Sequence, residues 1–176
     1  MNRRSNGSVL VTLAAAAALM AMALPAHARN FDIGLGGGGL FGIEENLPVK
    51  DNYYAGIFSA IRLRDQFDAE LSAARSEGID TADGSFREIY HATAGFRFYP
   101  MTAPDRATRF YVAFGASVFF DLKRNDDSTL GAYLGPGFRL KAGEHSGIDL
   151  RAPLVFSGEG ATNTVILPTV SWFYEF

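Results

Sequence analysis

The residues of this chain that could do chemistry are few and scattered. Its 176 residues include no cysteine, and the three histidines are His27, His91 and His145. This composition excludes thiol catalysis, a disulfide framework and cysteine-ligated zinc. The spacing of His91 and Thr93 places an imidazole and a hydroxyl on one face of an extended strand, as a base and a nucleophile require. No correctly spaced acidic residue follows to orient the histidine, so we expect no catalytic residues.

Two further motifs have simpler structural interpretations. The glycine run 36–39 is not followed by a helix carrying Lys and Ser or Thr, so it does not predict a phosphate-binding loop. Glycines there relieve crowding at close strand contacts. His145 lies between Glu144 and Ser146 in a predicted turn, where a solvated side chain is expected. The sequence thus predicts no metal site and no cofactor, and its net charge of −3 argues against a nucleic-acid partner.

Charged residues recur instead at alternate positions of extended segments, which places them on one face of a sheet. Fourteen ionisable side chains share this polar face, of which seven are basic, six are acidic and one is a histidine. If the segments close into an eight-stranded barrel, its interior is just wide enough for side chains to fill, and opposite charges can pair there. We predict a lumenal polar network that includes Arg62, Glu70, Arg87, His91, Arg97, Arg139, Asp149 and Arg151.

The elements that position these residues are β-strands, because the hydrophobic period is two. Eight alternating segments of about 11 residues fit the length of a membrane-spanning strand. The sequence predicts an all-β fold, an eight-stranded antiparallel up-and-down transmembrane β-barrel over residues 29–176. Its predicted strands are 30–41, 53–64, 66–75, 86–99, 109–122, 129–141, 147–156 and 164–176.

The aromatic residues, 15 Phe, 7 Tyr and 1 Trp, gather toward both ends of these strands. Two aromatic girdles around an aliphatic band are typical of a membrane barrel, which is apolar outside and polar inside. We assign Tyr99 and Tyr111 to the periplasmic girdle, and Tyr54 and Phe119 to the opposite one. The alternative is a soluble, lipocalin-like carrier with the sheet inside out and an apolar cavity.

Residues 1–28 are predicted to be a cleaved signal peptide. Arg3 and Arg4 precede an uncharged apolar run from Val9 to Leu24, and the small-x-small pattern at residues 26–28 provides a cleavage site. A signal peptide predicts export, to the periplasm, to the outer membrane or out of the cell; together with the predicted membrane barrel, the expected location is the bacterial outer membrane.

The C-terminal segment carries the most specific motif. The chain ends on phenylalanine, and Val170, Trp172, Tyr174 and Phe176 share one face. This pattern resembles the terminal assembly signal of bacterial outer-membrane proteins. With the signal peptide and the eight segments, the chain resembles the small barrels of the OmpX and OmpA-transmembrane-domain type.

This resemblance implies folding by the barrel-assembly machinery and contact with outer-membrane lipid and lipopolysaccharide. It implies little about activity, because such barrels include adhesins, structural proteins, channels for small hydrophobic solutes and lipid-modifying enzymes. Lipid A deacylase barrels use a His-x-Ser arrangement with an acidic partner. Thr93 replaces that serine here, which disfavours an enzyme.

The connections predict where partners would bind. The longer set, 42–52, 76–85, 121–128 and 157–163, carries a combined charge of −7 and is assigned to the extracellular side. These loops are either simply solvated, or they recruit divalent cations near lipopolysaccharide or contact a basic partner. The predicted function is a structural or surface-interaction role; the alternatives are a narrow channel for small, possibly hydrophobic solutes and, less favoured, a lipid-A-modifying enzyme.

Three prolines conflict with unbroken strands. Pro136, Pro153 and Pro168 lie inside predicted strands, although proline has no N–H to donate to a β-ladder. If the hairpin turns near residues 144–145, Pro136 and Pro153 lie at similar heights. We predict a local gap or bulge in the pairing there.

Overall fold

The computed structural model describes residues 31–42, 49–80, 86–101, 107–121, 128–157 and 163–176. The predicted signal peptide, 1–28, and the central parts of the predicted extracellular loops lie outside these residues. The described residues form ten strand segments: β1 (Phe31–Gly42), β2 (Val49–Arg64), β3 (Phe67–Asp80), β4 (Phe86–Phe98), β5 (Thr108–Asp121), β6 (Ser128–Lys141), β7 (Ser146–Arg151), β8 (Leu154–Ser157), β9 (Asn163–Ile166) and β10 (Thr169–Glu175).

These segments make eight crossings of one closed antiparallel sheet. β7 and β8 are two parts of one crossing, and β9 and β10 are two parts of the last one. Each crossing pairs with the next along the chain, and β1 pairs with both β9 and β10 to close the ring. The predicted eight-stranded up-and-down barrel is confirmed. No helix among the described residues is long and apolar enough to cross a membrane.

The two faces of the sheet differ as the alternation predicts. On β1, Asp32 points inward and is 5% exposed, whereas Leu35 points outward and is 60% exposed. The outward positions of β6 carry Leu130, Leu134 and Phe138, all exposed. An apolar exterior around a charged interior is the arrangement of a membrane barrel. The inside-out, lipocalin-like alternative is therefore wrong.

One hairpin is longer than the sequence predicted. β2 begins at Val49 rather than at residue 53, and β3 continues to Asp80 rather than ending at residue 75. The pairing of Val49 with Asp80 extends the ladder beyond the apolar band. Hydrophobic alternation marks the part of a strand that faces lipid, whereas backbone hydrogen bonds continue in water. Polar residues at both loop edges therefore belong to strands.

The predicted proline gap is confirmed. The ladder between β6 and the next crossing stops after Gly137 with Arg151 and resumes at Leu134 with Leu154. On its other side, Pro136 stays in register with Val112. The interruption is therefore local to one side of β6.

A second break separates β9 from β10 at Leu167 and Pro168. The Leu167 N–H donates to the Pro153 carbonyl over 3.0 Å, but Pro153 has no N–H to return. The Leu167 carbonyl accepts instead from the Tyr54 hydroxyl at 3.1 Å and from Thr169 Oγ1 at 3.0 Å. Lumenal hydroxyls thus replace a ladder hydrogen bond that proline removes.

The glycine run of β1 allows the two ends of the sheet to meet. A Cβ at Gly36 would lie 2.6 Å from Ser171 Cβ, and one at Gly38 would lie 2.9 Å from the Pro168 carbonyl carbon. Real Cβ atoms do not approach this closely. The expectation that these glycines relieve strand crowding is confirmed.

Candidate functional site

The centre of the lumen is a buried group of ion pairs. Arg97, from β4, is fully buried, and its Nε donates to Glu70 Oε2 over 2.6 Å. Its other side faces Asp149, with 3.4 Å between Nη1 and Oδ2. Arg151 Nη1 lies 3.5 Å from the same Glu70 oxygen that Arg97 uses. β3, β4 and β7 thus each place charged side chains in one cluster, which we call the ionic layer.

Two tyrosines donate hydrogen bonds to the acids of the ionic layer. The Tyr133 hydroxyl donates to Glu70 Oε1 over 2.7 Å, and the Tyr111 hydroxyl donates to Asp149 Oδ1 over 2.6 Å. Buried charges are stable only when they are paired and hydrogen-bonded. Glu70 is hydrogen-bonded by Arg97 and Tyr133, whereas Asp149 is hydrogen-bonded by Tyr111 and lies 3.4 Å from Arg97, with its Oδ2 atom unpartnered among the described residues.

A second set of charges lies nearer the end that holds the short turns. Arg139 donates to Asp32 at 2.5 Å and to Glu175 at 3.2 Å, and Lys141 lies 2.7 Å from Glu175. The Arg139 guanidinium also lies 3.9 Å from the centroid of the buried Phe173 ring. These contacts join β1, β6 and β10 across the closing seam.

Two further arginines at this end pack against an acid or an aromatic ring. Tyr99 donates to Asp68 over 2.8 Å, and Arg62 Nε lies 3.7 Å from the same carboxylate. Arg109 stacks on Tyr99 with 3.8 Å between the guanidinium carbon and the ring centroid. The lumen is filled here by alternating arginine and aromatic side chains.

The structure brings most of the predicted network together. Six of the eight residues contribute to the ion pairs described above: Arg62, Glu70, Arg97, Arg139, Asp149 and Arg151. His91 lies apart from them and stacks on Phe119 with 4.3 Å between ring centroids. The side chain of Arg87 lies outside the described residues. His91 faces the lumen, away from the lipid in which an acyl substrate would lie.

The assignment of four aromatic residues to membrane girdles is wrong. Tyr99 and Tyr111 are fully buried in the lumen, Tyr54 donates to the Leu167 carbonyl there, and Phe119 packs on the lumenal His91. Height along the strand decides whether a residue can join a girdle, but alternation decides whether it faces lipid. Tyr111 follows Phe110 directly, so the period of two could have identified it as lumenal.

Other lumenal residues were missed. Arg109 lies one position before Phe110, where the alternation that defined the faces of the fifth predicted strand begins. Phe58 and Phe173 are buried on the charged face and offer the arginines aromatic surfaces. Phe58 shares its strand face with Arg62, and Phe173 shares its own with Glu175, and this alternation was the available signal.

A small cavity lies beside the ionic layer, toward the end of the barrel that holds the predicted extracellular loops. Its volume is about 30 Å³, and Tyr54, Phe58, His91, Arg151 and Ser171 are among its lining residues. Its polar and apolar walls could hold one or two water-sized species. The described residues include no cluster of three or more potential metal ligands.

The C-terminal segment forms part of the apolar outer surface. Val170, Trp172 and Phe176 are exposed on the outward face, and Tyr174 packs edge-on against Phe176 with 5.0 Å between ring centroids. The Phe176 N–H donates to the Phe31 carbonyl over 2.9 Å. The last residue of the chain is thus bonded to the first strand.

Together, the closed sheet, the charged lumen and the apolar exterior define a small outer-membrane-type β-barrel. No protein-family profile matches the sequence, and no curated protein is detectably similar to it. Solved structures of such barrels do match.

OprG of Pseudomonas aeruginosa matches with a TM-score of 0.62 and 17% identity, over 85% of this chain and 96% of OprG. Ail, the attachment invasion locus protein of Yersinia pestis, matches with a TM-score of 0.57 and 14% identity, over 84% of this chain and 98% of Ail. The N-terminal barrel of P. aeruginosa OprF matches with a TM-score of 0.54 and 17% identity, over 82% of this chain and 97% of the OprF barrel. The chain shares the fold of these outer-membrane barrels, which confirms the predicted resemblance.

Proposed function

We propose that this chain is an integral outer-membrane protein with a closed lumen, and that it acts as a structural or surface-interaction barrel through its extracellular loops. The buried ionic layer carries this proposal. Arg97, Glu70 and Asp149 are each at most 2% exposed, so the narrow interior is filled where they meet. An eight-stranded barrel has little space beyond its side chains.

The loops are the part of such a barrel that is free to meet other molecules. Their acidic composition favours divalent cations beside lipopolysaccharide, or a basic extracellular partner. Ail, one of the barrels of the same fold, is named for attachment and invasion. A loop-based role of that general kind fits a filled lumen better than solute passage does.

Biogenesis is the second part of the proposal. The aromatic C-terminus is the segment that the barrel-assembly machinery would recognise, and the exposed Val170, Trp172 and Phe176 would then contact lipid. The bond between Phe176 and Phe31 supports this role, because recognition of the end of the chain would bring the closing strands together.

Two measurements test the proposal. In electrophoresis of outer-membrane fractions, the unboiled protein should migrate differently from the boiled protein, as folded barrels do. In planar bilayers, the purified protein should show no stable unit conductance. A soluble periplasmic pool without a mobility shift would contradict the membrane assignment, and a reproducible open channel would contradict the closed lumen.

A narrow channel is the second candidate, and the small lumenal cavity favours it. Uptake of small solutes into vesicles distinguishes the two functions. Entry of a solute through the unsubstituted protein would favour the channel, whereas entry only after the ionic layer is disrupted would favour the closed lumen. For the lipid-A-modifying enzyme, unchanged lipid A after His91→Ala would be expected, because His91 faces the lumen.

A further inference from the structure

The charge of the lumenal cavity comes from one side chain. Among the described lining residues, Arg151 is the only one with a full charge. Its ion pair with Glu70 is long, at 3.5 Å, and it shares that oxygen with Arg97 Nε, which lies at 2.6 Å. A guanidinium has five N–H donors, and one shared oxygen at this distance leaves most of them available. The cavity therefore has a positive wall.

Two polar atoms on the lining are buried without a hydrogen-bond partner among the described residues. These are Ser171 Oγ and His91 Nε2, and Ser171 is only 2% exposed. The other hydroxyls of the lining have partners: Ser72 bonds Thr93 at 2.6 Å, Tyr54 and Thr169 donate to the Leu167 carbonyl, and Tyr133 donates to Glu70. A buried polar atom without a hydrogen bond destabilises the folded state. We therefore expect a small molecule or ion in the cavity to bond Ser171 and His91.

We propose that this cavity binds a small monovalent anion, of which chloride is the physiological representative. The Arg151 guanidinium and the Ser171 hydroxyl would be its donors, and the His91 ring N–H would be a third. The volume of about 30 Å³ has room for a monatomic anion. The low-polarity walls formed by Phe58 and Val155 strengthen attraction between unlike charges.

Water is the competing occupant. It could bond the serine and the histidine, but it would offer only a neutral acceptor to Arg151, whose ion pair with Glu70 is long and shared with Arg97. Hydrogen bonds to a charged group are commonly stronger than those between neutral groups. An anion uses all three donors in this way, which is why we favour it over water.

The test is an anion titration of the full mature barrel, folded in a non-ionic detergent. Chloride is added against gluconate at constant ionic strength, and binding is followed by broadening of the chloride-35 NMR line. Excess bromide should reverse the broadening by competition. Anomalous scattering from bromide-grown crystals should place the ion between Arg151 and Ser171.

The chain offers a matched pair of variants. Ser171→Ala removes a donor from the cavity, whereas Ser117→Ala removes an equally buried, equally unpartnered hydroxyl that does not line it. Ser171→Ala should weaken chloride binding about tenfold, as expected for loss of one hydrogen bond to an ion. Ser117→Ala should leave it unchanged.

Arg151→Gln should abolish binding, and its unboiled electrophoretic mobility reports whether the barrel folds. If Arg151→Gln does not fold, the comparison of chloride binding between Ser171→Ala and Ser117→Ala tests the proposal. Broadening no greater than that of empty micelles would mean that only water occupies the cavity. The absence of specific broadening would overturn the proposal. So would equal weakening of chloride binding in both serine variants, or a bromide peak away from Arg151 and Ser171.

Discussion

Glu70→Gln is the sharpest test of how the lumen is held together. The substitution removes one negative charge from the ionic layer but keeps a side chain of the same shape. Arg97 is then left fully buried with Asp149, 3.4 Å away, as its remaining anionic contact among the described residues. Breaking a buried ion pair by removing one partner commonly destabilises a protein by about 3–5 kcal/mol. We expect a loss of that size in the free energy of unfolding.

The assay is urea unfolding in lipid vesicles, followed by the fluorescence of Trp172. It is the only tryptophan of the chain and is 52% exposed on the outward face, so its emission reports transfer from lipid to water. The urea concentration at the unfolding midpoint should fall. The slope of the unfolding free energy against urea concentration should not change, because unfolding exposes the same surface in both proteins. Unboiled mobility in electrophoresis checks that the variant starts folded.

Two further variants make the reasoning refutable. Glu88→Gln breaks an ion pair of similar length, 2.7 Å to Arg75, but on the exposed face near the rim, and should cost less than about 1 kcal/mol. Combining Arg97→Met with Glu70→Gln should cost less than the sum of the two single losses, because the two side chains bond each other. If Glu70→Gln costs no more than Glu88→Gln, the ionic layer is solvated and the lumen is not closed.

Three other predictions concern the closing side of the barrel. Gly38→Val should prevent closure and abolish the mobility shift of the unboiled protein, whereas Gly143→Ala, whose Cβ would meet only Ser146 Oγ at 3.6 Å, should be tolerated. Tyr54→Phe removes a hydroxyl that caps the carbonyl at the β9–β10 break and should cost about 1 kcal/mol in urea unfolding, while Tyr53→Phe, outward and exposed, should cost nothing measurable. Phe176→Ala should lower the fraction of folded barrel in outer-membrane preparations, and normal assembly would contradict the role proposed for the C-terminus.

The sequence predicted the faces of the sheet well because alternation is a local property. The inward positions of Asp32, Arg97 and Asp149 follow from period two alone, and the proline gap follows from missing N–H groups. Each of these features is decided by a residue and its neighbours along one strand. No knowledge of the barrel cross-section was needed.

The partners within the lumen could not be predicted in the same way. Arg97 lies in register with Asp68 on the adjacent strand, yet it bonds Glu70 and reaches Asp149. Which carboxylates meet depends on the stagger of the whole barrel and on side chains crossing the lumen. Tyr99 and Tyr111 were misplaced for a related reason, since an aromatic ring suits either lipid or a stack of arginines.

The two proline breaks also give the wall an uneven stiffness. From β2 to β6 the strands are joined by long ladders, whereas from β6 through β8 and β9 to β1 the pairing comes in short pieces. Lateral pressure from the surrounding bilayer acts equally on all sides of the barrel. The side joined by short ladders deforms more under this pressure than the side joined by continuous ladders. The cross-section would therefore flatten along the proline side first, and backbone amides there would exchange with solvent sooner than those of the opposite wall.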